Sequence, residues 1–313
     1  MNEHGSGSQS QRGGSMTAEL EGRVALVTGG GNGIGKACAL SLAAHGASVV
    51  VNDLGTSELG LGASATAADA TVAEIVAAGG SAIASYDTVG DSAGCAATVA
   101  TTNEAYGRVD ILVACAGALL EANLHATDDE YQRFLGLFLS QKFWLCRAVV
   151  PGMGERGWGR IVTTTSYGAT GLLGSPIFAA SMGGVISMTK AIAHEYAGTG
   201  ITANCLAPGA ATRLHEMSRA HFEEMHATGQ IDDEMWDNYE NTPPPSYVAP
   251  IVTWLCTDKG GAYSGHVFHA SGGEIAVWSS YRNERTIFRG DHRSNPAWTM
   301  SELDGAVPKH LFD

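Results

Sequence analysis

The sequence predicts an α/β fold with a doubly wound parallel sheet of about seven strands and helices on both faces, in a single domain. Short apolar runs rich in β-branched residues alternate along the chain with longer stretches of helical spacing. Strands that are apolar throughout are typical of parallel sheets, because helices cover both of their faces. The length of 313 residues and the hydrophobic content of 44% are sufficient for one large core.

Each element follows from its local pattern. The apolar runs predict strands over Val24–Thr28, Ala47–Asn52, Ala82–Ser85, Ile111–Cys115, Arg160–Thr164, Thr202–Leu206 and His266–His269. The spacing between these runs predicts helices from the glycine-rich turn to about Ala44, then over Thr66–Ala78, Ala93–Tyr106, Asp128–Val150 and Phe178–Ala197. The pattern contains no internal repeat and no second core.

Composition narrows the class of protein. The net charge of −14 argues against nucleic acid or an anionic membrane surface as a partner, because both select for basic patches. Six cysteines are scattered without paired spacing and mostly lie in apolar runs, which favours buried free thiols in a reducing compartment. We expect no apolar run to reach membrane-spanning length. We therefore expect a cytoplasmic protein without a membrane segment.

The ends of the chain differ from its middle. Residues 1–19 are polar and rich in Gly and Ser near the start, and they predict a disordered tail or tag ahead of a domain over 20–280. The extension 281–313 carries Phe288, Trp298 and Phe312. It is too aromatic for a purely disordered segment, so we expect it to pack on a neighbouring subunit.

A glycine-rich turn carries the first sign of function. Gly29, Gly33 and Gly35 follow a strand and open a helix, where glycine lets backbone N–H groups approach a pyrophosphate. Asp53 ends the second strand and can accept both hydroxyls of an adenosine ribose. It would repel a 2′-phosphate, and no Arg or Lys stands at 30–32 to offset that charge. The turn therefore predicts NAD(H) rather than NADP(H) as the cofactor.

The strand, hydroxyl-rich turn and long helix over Ile161–Tyr196, with Thr28 and the glycine spacing, resemble the short-chain dehydrogenase/reductase family, which has a Rossmann-like fold. The stretches 51–55 and 248–256 are similar to the branch containing the dehydrogenase domain of peroxisomal-type multifunctional enzyme 2. Members of that branch oxidise 3-hydroxyacyl-CoA or hydroxysteroids with NAD. The resemblance implies a homodimer or homotetramer built through the helices around 134–150 and 178–197.

The resemblance also implies a set of cofactor contacts at Thr28, Gly29, Asn32, Gly33, Ile34, Gly35, Asp53, Asp87, Thr88, Ala116, Gly117, Pro208, Gly209 and Thr212. It places a substrate lid over about 211–245, whose methionines and aromatic residues suit a hydrophobic small-molecule or acyl-type substrate. His215, His221 and His226 in this lid have a spacing that fits no metal site, so we predict no metal.

The departures from the family pattern gather at one place. The family's Tyr-x-x-x-Lys motif falls on Phe178 and Met182, and the Asn of its proton relay falls on Phe138. Phe and Met offer neither a proton nor a charge. The family's catalytic Ser falls on Ser166, or on Thr165 if one counts back from Phe178. Tyr167 carries a phenol beside this position and is a candidate replacement acid, and Lys142 lies one helical turn beyond Phe138.

Three functions fit these residues. The first is non-redox chemistry (an isomerase, cyclase or lyase) in which Ser166 and backbone donors stabilise an oxyanion on a hydrophobic hydroxy or keto substrate. The second is an NAD-dependent oxidoreductase that acts on a 3-hydroxyacyl-CoA, a steroid or a polyketide-like alcohol through a non-standard acid. The third is a non-catalytic NAD-binding partner subunit. The missing Tyr, Lys and Asn favour the first at this point.

Overall fold

The computed structural model describes residues 18–118, 123–171, 175–291 and 293–312. The chain divides into two compact units, Met1–Val277 and Trp278–Asp313. Most of the tail predicted over 1–19 lies outside the described residues. The division between the units falls close to the predicted boundary at 280.

One sheet of eight strands forms the centre of the first unit, in the order β3-β2-β1-β4-β5-β6-β7-β8. All neighbouring strands are parallel except the last pair. The strands are β1 Val24–Thr28, β2 Ser48–Asn52, β3 Ser81–Ser85, β4 Ile111–Ala114, β5 Gly159–Thr164, β6 Ile201–Pro208, β7 Val267–Ser271 and β8 Glu274–Val277. The order reverses between β1 and β4, and the carboxyl ends of such strands are where ligands bind in open α/β sheets.

Helices connect these strands. They are α1 Gly33–Ala44, α2 Thr66–Ala77, α3 Ser92–Tyr106, α4 Asp128–Leu135, α5 Gln141–Arg156, α6 Pro176–Glu195, α7 Arg213–Met217, α8 Arg219–Ala227, α9 Asp233–Glu240 and α10 Ala249–Leu255, with α11 Met300–Val307 in the second unit. The predicted α/β class, with a doubly wound and mostly parallel sheet, is confirmed.

The core lies on both faces of the sheet. Ala25 and Val27 of β1 pack in one apolar cluster with α1 and α10, whereas Leu26 between them packs in a second cluster with α3 and α5. Successive strand residues point to opposite faces, so a strand covered on both sides must be apolar at every position. This is why six of the seven parallel strands were visible in the sequence as buried runs, whereas β3 at the sheet edge is only partly buried.

The eighth strand was not expected. β8 follows the Gly272-Gly273 turn and pairs antiparallel with β7, with Ser271 opposite Glu274. Its residues Ile275 and Val277 are exposed. The strand lies at the sheet edge and does not form the continuous buried run that revealed the others, so the prediction of about seven strands fell one short.

The helix predicted over Asp128–Val150 is interrupted. A π-helical turn over Gly136–Ser140 separates α4 from α5, and α5 continues past Pro151 to Arg156. Thr127 begins this segment with a capping box, in which its hydroxyl accepts from the Glu130 N–H while the Glu130 carboxylate accepts from the Thr127 N–H. The prediction of one regular helix was wrong here, because hydrophobic spacing does not register a local change of helical pitch.

Helix α6 has the predicted length of 20 residues but begins two residues earlier, at Pro176. By length and composition alone it could cross a membrane. The expectation that no run would reach that length was wrong. Its residues Ile177, Met182, Val185 and Ile186 are buried in the interior of the first unit, and this packing accounts for its apolar character.

The second unit has local structure of its own. Thr299 and Glu302 form a capping box at the start of α11. The Arg289 guanidinium donates to both oxygens of Glu302 and lies 5.3 Å from the Trp298 ring centroid. An ion pair and an aromatic contact thus support the start of α11.

Candidate functional site

The glycine-rich turn brings two strand ends into close contact. Gly29 has φ +67°, and a Cβ at this position would lie 2.8 Å from the Ala116 Cα at the end of β4. A Cβ on Gly35 would lie 2.1 Å from the Gly29 carbonyl oxygen. The Thr28 hydroxyl accepts from the Ala116 N–H at 3.3 Å and ties the two strand ends together. Side chains cannot replace these glycines without moving the backbone.

Asp53 faces this turn from the end of β2. Its Oδ2 accepts from the Gly31 N–H at 2.9 Å, and its Oδ1 accepts from the Gly55 N–H at 2.8 Å. These two bonds fix the carboxylate in the cleft while leaving further acceptor capacity on both oxygens. Asp53 is only 9% exposed, so its charge is held against the glycine turn.

Asn52 positions the neighbouring loop. Its buried amide donates to the Asp87 carbonyl at 2.9 Å and to the Ser85 hydroxyl at 3.1 Å. The Ser85 hydroxyl in turn donates to the Asp87 carboxylate at 3.0 Å. One side chain of β2 therefore holds the loop after β3 against the cleft.

The cleft has a volume of about 290 Å³ and lies at the carboxyl ends of β1, β2 and β4. Most of the predicted cofactor contacts line it together, namely Gly29, Asn32, Gly33, Ile34, Gly35, Asp53, Asp87, Thr88, Ala116, Gly117 and Thr212. Thr28, Pro208 and Gly209 do not line it. Thr28 is fully buried behind the turn, and Gly209 lies beside Ser271.

Two arginines of the cleft were missed by the sequence analysis. Arg133 of α4 donates to the Leu59 and Gly60 carbonyls at 3.1 and 3.0 Å, and Arg213 of α7 donates to the Thr56 carbonyl at 3.1 Å. Both side chains line the cleft and hold the loop over 54–64 against it. Sequence spacing gave no signal for them, because they are more than 70 residues from that loop along the chain.

The residues at the expected catalytic positions form one apolar cluster. The Phe178 ring lies 5.5 Å from the Phe138 ring, edge to face, and the Phe134 ring stacks on Phe138 at 4.4 Å. Met182 is 3% exposed in the same cluster. A Cβ on Gly168 would lie 2.5 Å from the Phe178 ring, so this ring sits against the turn that follows Ser166.

The two candidate hydroxyls differ in availability. Thr165 is 4% exposed, and its hydroxyl donates to the Met182 carbonyl at 2.9 Å, so it is committed to the packing of α6. Ser166 is half-buried and caps a short 3₁₀ helix over Tyr167–Thr170, where its Oγ accepts from the Gly168 N–H at 3.1 Å. A hydroxyl that accepts one bond can still donate its own hydrogen, so Ser166 is the better candidate.

Residues 23–225 match the family model described as short chain dehydrogenase. The chain belongs to the short-chain dehydrogenase family. It is 37% identical to a 3-oxoacyl-acyl-carrier-protein reductase of Synechocystis, over 83% of this chain and 99% of that protein. It is 35% identical to the peroxisomal multifunctional enzyme type 2 of Drosophila melanogaster, over 80% of this chain but only 39% of that longer enzyme. A solved short-chain dehydrogenase from Burkholderia cenocepacia in complex with NADP matches with a TM-score of 0.69 and 31% identity, covering 82% of this chain and 98% of that one.

Family membership identifies the fold as one that binds NAD(P), and the glycine cleft has the shape this requires. Cβ atoms at Gly29, Gly31 and Gly35 would collide with neighbouring atoms of the protein itself, so the turn can keep this shape at the cleft only with glycine. The start of α1 points its free N–H groups into the same space, which suits a pyrophosphate. The residues present therefore fit a dinucleotide.

Lys142 is an unusual buried cation next to this family site. It is 1% exposed on α5, and its Nζ donates to the Phe138 carbonyl at 2.9 Å. Burial lowers the pKa of its ammonium from 10.5 to about 8, an effect that Cys115, Cys205 and Cys146 oppose. No carboxylate forms an ion pair with it among the described residues.

The segment predicted as the lid contains α7, α8 and α9. The Tyr239 ring stacks on His215 at 4.1 Å and on Phe222 at 4.3 Å, and Trp236 stacks on His226 at 5.4 Å. The His215 Nε2 lies 3.0 Å from the Tyr239 carbonyl. These histidines thus serve the packing of aromatic rings, and no group of three metal-binding side chains occurs within the described ranges.

Proposed function

We propose that this protein is an NAD(H)-dependent oxidoreductase acting on the hydroxyl or oxo group of a hydrophobic substrate, with a proton donor other than the family's Tyr-Lys pair. Hydroxyacyl thioesters, steroids and polyketide-like alcohols are the substrate classes considered. The observation that carries the proposal is the dinucleotide cleft, in which the glycine turn and Asp53 are held in place by backbone hydrogen bonds. The names of the relatives, a reductase and a multifunctional enzyme among them, support redox over non-redox chemistry.

The roles of this chain's residues follow from their positions. The glycine turn and the start of α1 would hold the pyrophosphate, and Asp53 the adenosine ribose. The nicotinamide, when bound, accepts or supplies a hydride. Ser166 would donate its hydroxyl hydrogen to the reacting oxygen of the substrate, which orients that oxygen and stabilises charge developing on it. Tyr167, which is next in sequence and half-exposed, would exchange the proton with that oxygen.

The lid supports the choice of a hydrophobic substrate. Phe222, Trp236 and Tyr239 form a connected set of stacked rings, and Met217 and Met225 lie in the same helices. Thr212 lines the cleft and its hydroxyl accepts from the His215 N–H, so the lid begins at the cofactor site. Tyr239 and Met225 are buried, but Met217 is exposed and Phe222 and Trp236 are half-buried, so the lid offers apolar side chains that can contact acyl chains or fused rings.

We further propose a preference for NAD(H) over NADP(H). Asp53 would oppose the charge of a 2′-phosphate, and its carboxylate is fixed by the Gly31 and Gly55 N–H groups. The Asp53→Asn variant keeps the side-chain shape and removes the charge. Calorimetric titration should show its NADP(H) affinity rising relative to NAD(H) by about tenfold or more, with Glu74→Gln on α2 unchanged as a control. Equal affinity of the unaltered protein for the two cofactors would contradict the preference.

Non-redox chemistry remains a second candidate because of one observation. Phe138, Phe178 and Met182 are packed together with Phe134, so the positions that the sequence resemblance assigns to proton transfer form an apolar wall. Such a wall beside Ser166 suits an isomerase, cyclase or lyase that stabilises an oxyanion.

One experiment separates the two candidates. A panel of 3-oxoacyl-CoA, 3-hydroxyacyl-CoA, oxosteroid and hydroxysteroid substrates is incubated with the protein and NAD(H), and both NADH absorbance and products are followed. A change in absorbance that matches product formation supports the oxidoreductase. Products formed without any such change would favour the second candidate, and the proposed oxidoreductase function would be wrong.

A further inference from the structure

A buried histidine of β7 lies against Tyr167. The ring centroids of Tyr167 and His269 are 4.9 Å apart, with the planes at 74°. His269 is 6% exposed on β7, whereas Tyr167 is 46% exposed at the start of the 3₁₀ helix that follows β5. A half-exposed phenol is therefore held against a buried imidazole, at the carboxyl ends of β5 and β7.

The hydrogen bonding of His269 defines its tautomer. Its Nδ1 lies 2.7 Å from the Ala207 carbonyl oxygen. A carbonyl can only accept, so Nδ1 carries the proton and Nε2 holds the lone pair of the neutral ring. Nε2 lies 3.9 Å from a carboxylate oxygen of Glu274, whose side chain is exposed. Among the described residues, the titratable groups facing this imidazole are thus Tyr167 from the short helix and Glu274 from β8.

Contacts connect this pair to the cofactor cleft. A Cβ on Gly209 would lie 2.7 Å from the Ser271 Oγ and 3.8 Å from the His269 Cε1, so the loop after β6 runs directly beside the histidine. That loop leads to Thr212, whose methyl group would lie 3.2 Å from a Cβ on Gly33 of the glycine turn. The loop over 207–212 therefore contacts His269 near its start and the cofactor cleft at its end.

We propose that Tyr167 and His269 form the proton-exchange pair of this enzyme, with Tyr167 as the catalytic residue and His269 as the positioning residue that holds the phenol. The inference rests on the proposed oxidoreductase function. In oxidation, the substrate carbon loses a hydride to the nicotinamide dinucleotide, and the substrate O–H bond breaks with its proton passing to the Tyr167 oxygen. As the Tyr167 oxygen takes the substrate proton, it gives up its own O–H proton to solvent, where the exposed Glu274 carboxylate can accept it, so that the tyrosine ends the step unchanged. Reduction runs through the same steps in reverse.

The proposed role of Tyr167 and His269 explains two features of His269 that a purely structural role would not require. A buried histidine needs one partner, and the Ala207 carbonyl supplies it. The remaining nitrogen faces an exposed carboxylate, while the ring packs against a phenol that reaches solvent. This arrangement gives a proton a path from a substrate oxygen to the surface without the family's Tyr, Lys or Asn.

The first test measures catalysis. Tyr167→Phe should lower kcat for a 3-oxoacyl-CoA or oxosteroid by about 100-fold or more, with KM and NADH affinity unchanged, because proton transfer contributes about 10²–10⁴ to a rate. His269→Gln keeps a donor for the Ala207 carbonyl and should lower kcat by about tenfold without changing KM, with a larger solvent deuterium isotope effect. Tyr263→Phe removes a phenol of similar exposure far from the loop over 207–212 and should leave kcat unchanged.

The second test needs no turnover. In the cofactor-free protein with ¹⁵N-labelled histidine, the NMR spectrum should show His269 in the Nδ1-protonated tautomer, and its ring signals should shift in Tyr167→Phe. If the wild type oxidises or reduces a substrate while Tyr167→Phe keeps its kcat within threefold, the pair is wrong and the oxidoreductase function stands. An Nε2-protonated His269 overturns the pair as well. Products formed without any NADH change overturn both proposals.

Discussion

At the scale of single residues, the buried Lys142 destabilises the folded protein. Burial lowers the pKa of its ammonium from 10.5 to about 8, a difference worth about 3 kcal/mol. Between these two pH values the unfolded chain binds more protons than the folded one, so stability rises with pH across this window. Below about pH 8 the full penalty is present.

Replacing this cation should therefore stabilise the protein. Lys142→Met should raise the free energy of unfolding near pH 7 by about 1–3 kcal/mol, after the loss of the hydrogen bond to the Phe138 carbonyl. The gain should shrink towards pH 10. Urea unfolding at both pH values measures it, with Lys259→Met as control, because the Lys259 side chain is 75% exposed. A variant less stable than the wild type near pH 7 would mean that the ammonium has a partner that compensates for its burial.

Phe178 and Met182 give a second prediction at the same scale. If they occupy the family's acid and lysine positions, Phe178→Tyr with Met182→Lys should raise NADH-linked activity by more than the product of the two single effects. A phenol without a nearby cation stays a weak acid, and a lone buried ammonium is costly, so each single change should help little. The coupling is read from a double-mutant cycle of kcat.

A matched control comes from the same aromatic cluster. Phe134→Tyr adds a phenol beside Phe138 and Phe178, but at a position that does not align with the family's acid. Paired with Met182→Lys, it should show no positive coupling. Equal coupling in both pairs would contradict the assignment of Phe178 to the acid position.

At the scale of elements, the sequence predicted the strands and helices that are formed by apolar runs. Most of the parallel strands and the glycine turn were found because burial on both faces and close backbone approach leave direct marks in the sequence. β8 and the π-helical turn over Gly136–Ser140 were missed, because an exposed edge strand and a change of pitch leave none. The hydrogen bonds from Arg133 to the loop over 54–64 were also missed, as was the contact of His269 with Tyr167. Both depend on contacts between distant parts of the chain.

The loop over 54–64 provides a prediction about one element. Arg133 holds it through the Leu59 and Gly60 carbonyls, and Leu54, Thr56 and Gly60 line the cofactor cleft. Arg133→Ala should release this loop and weaken NAD(H) binding by about three- to tenfold, because more backbone must be ordered on binding. Calorimetry measures the loss, with Arg147→Ala as the control, because Arg147 is exposed on α5 and does not line the cleft. Unchanged NAD(H) affinity in Arg133→Ala would show that the loop does not depend on the hydrogen bonds from Arg133.

At the scale of the whole molecule, we propose that the chain forms a dimer or a tetramer through α5 and α6. Phe143 on α5 is 48% exposed, and α6 has open space at Gly183, which permits close approach of a second helix, whereas Gly184 packs against Leu139. Light scattering at micromolar concentration should give a multiple of 32.4 kDa. Phe143→Asp should reduce that mass, because a charge cannot be buried in such a contact without a partner. A monomer in the unaltered protein would contradict the proposal.

The positions of the cysteines make it possible to measure whether the cofactor cleft is occupied. All six cysteines are free thiols, and five of them are buried, with the pKa of Cys146 and Cys256 raised to about 12 by burial. Cys115 alone is partly exposed, and it lines the cofactor cleft. A thiol reagent added to the folded protein therefore meets essentially one reactive sulfur, at the place that a dinucleotide would cover. The rate of alkylation becomes a measure of cleft occupancy before any substrate is known.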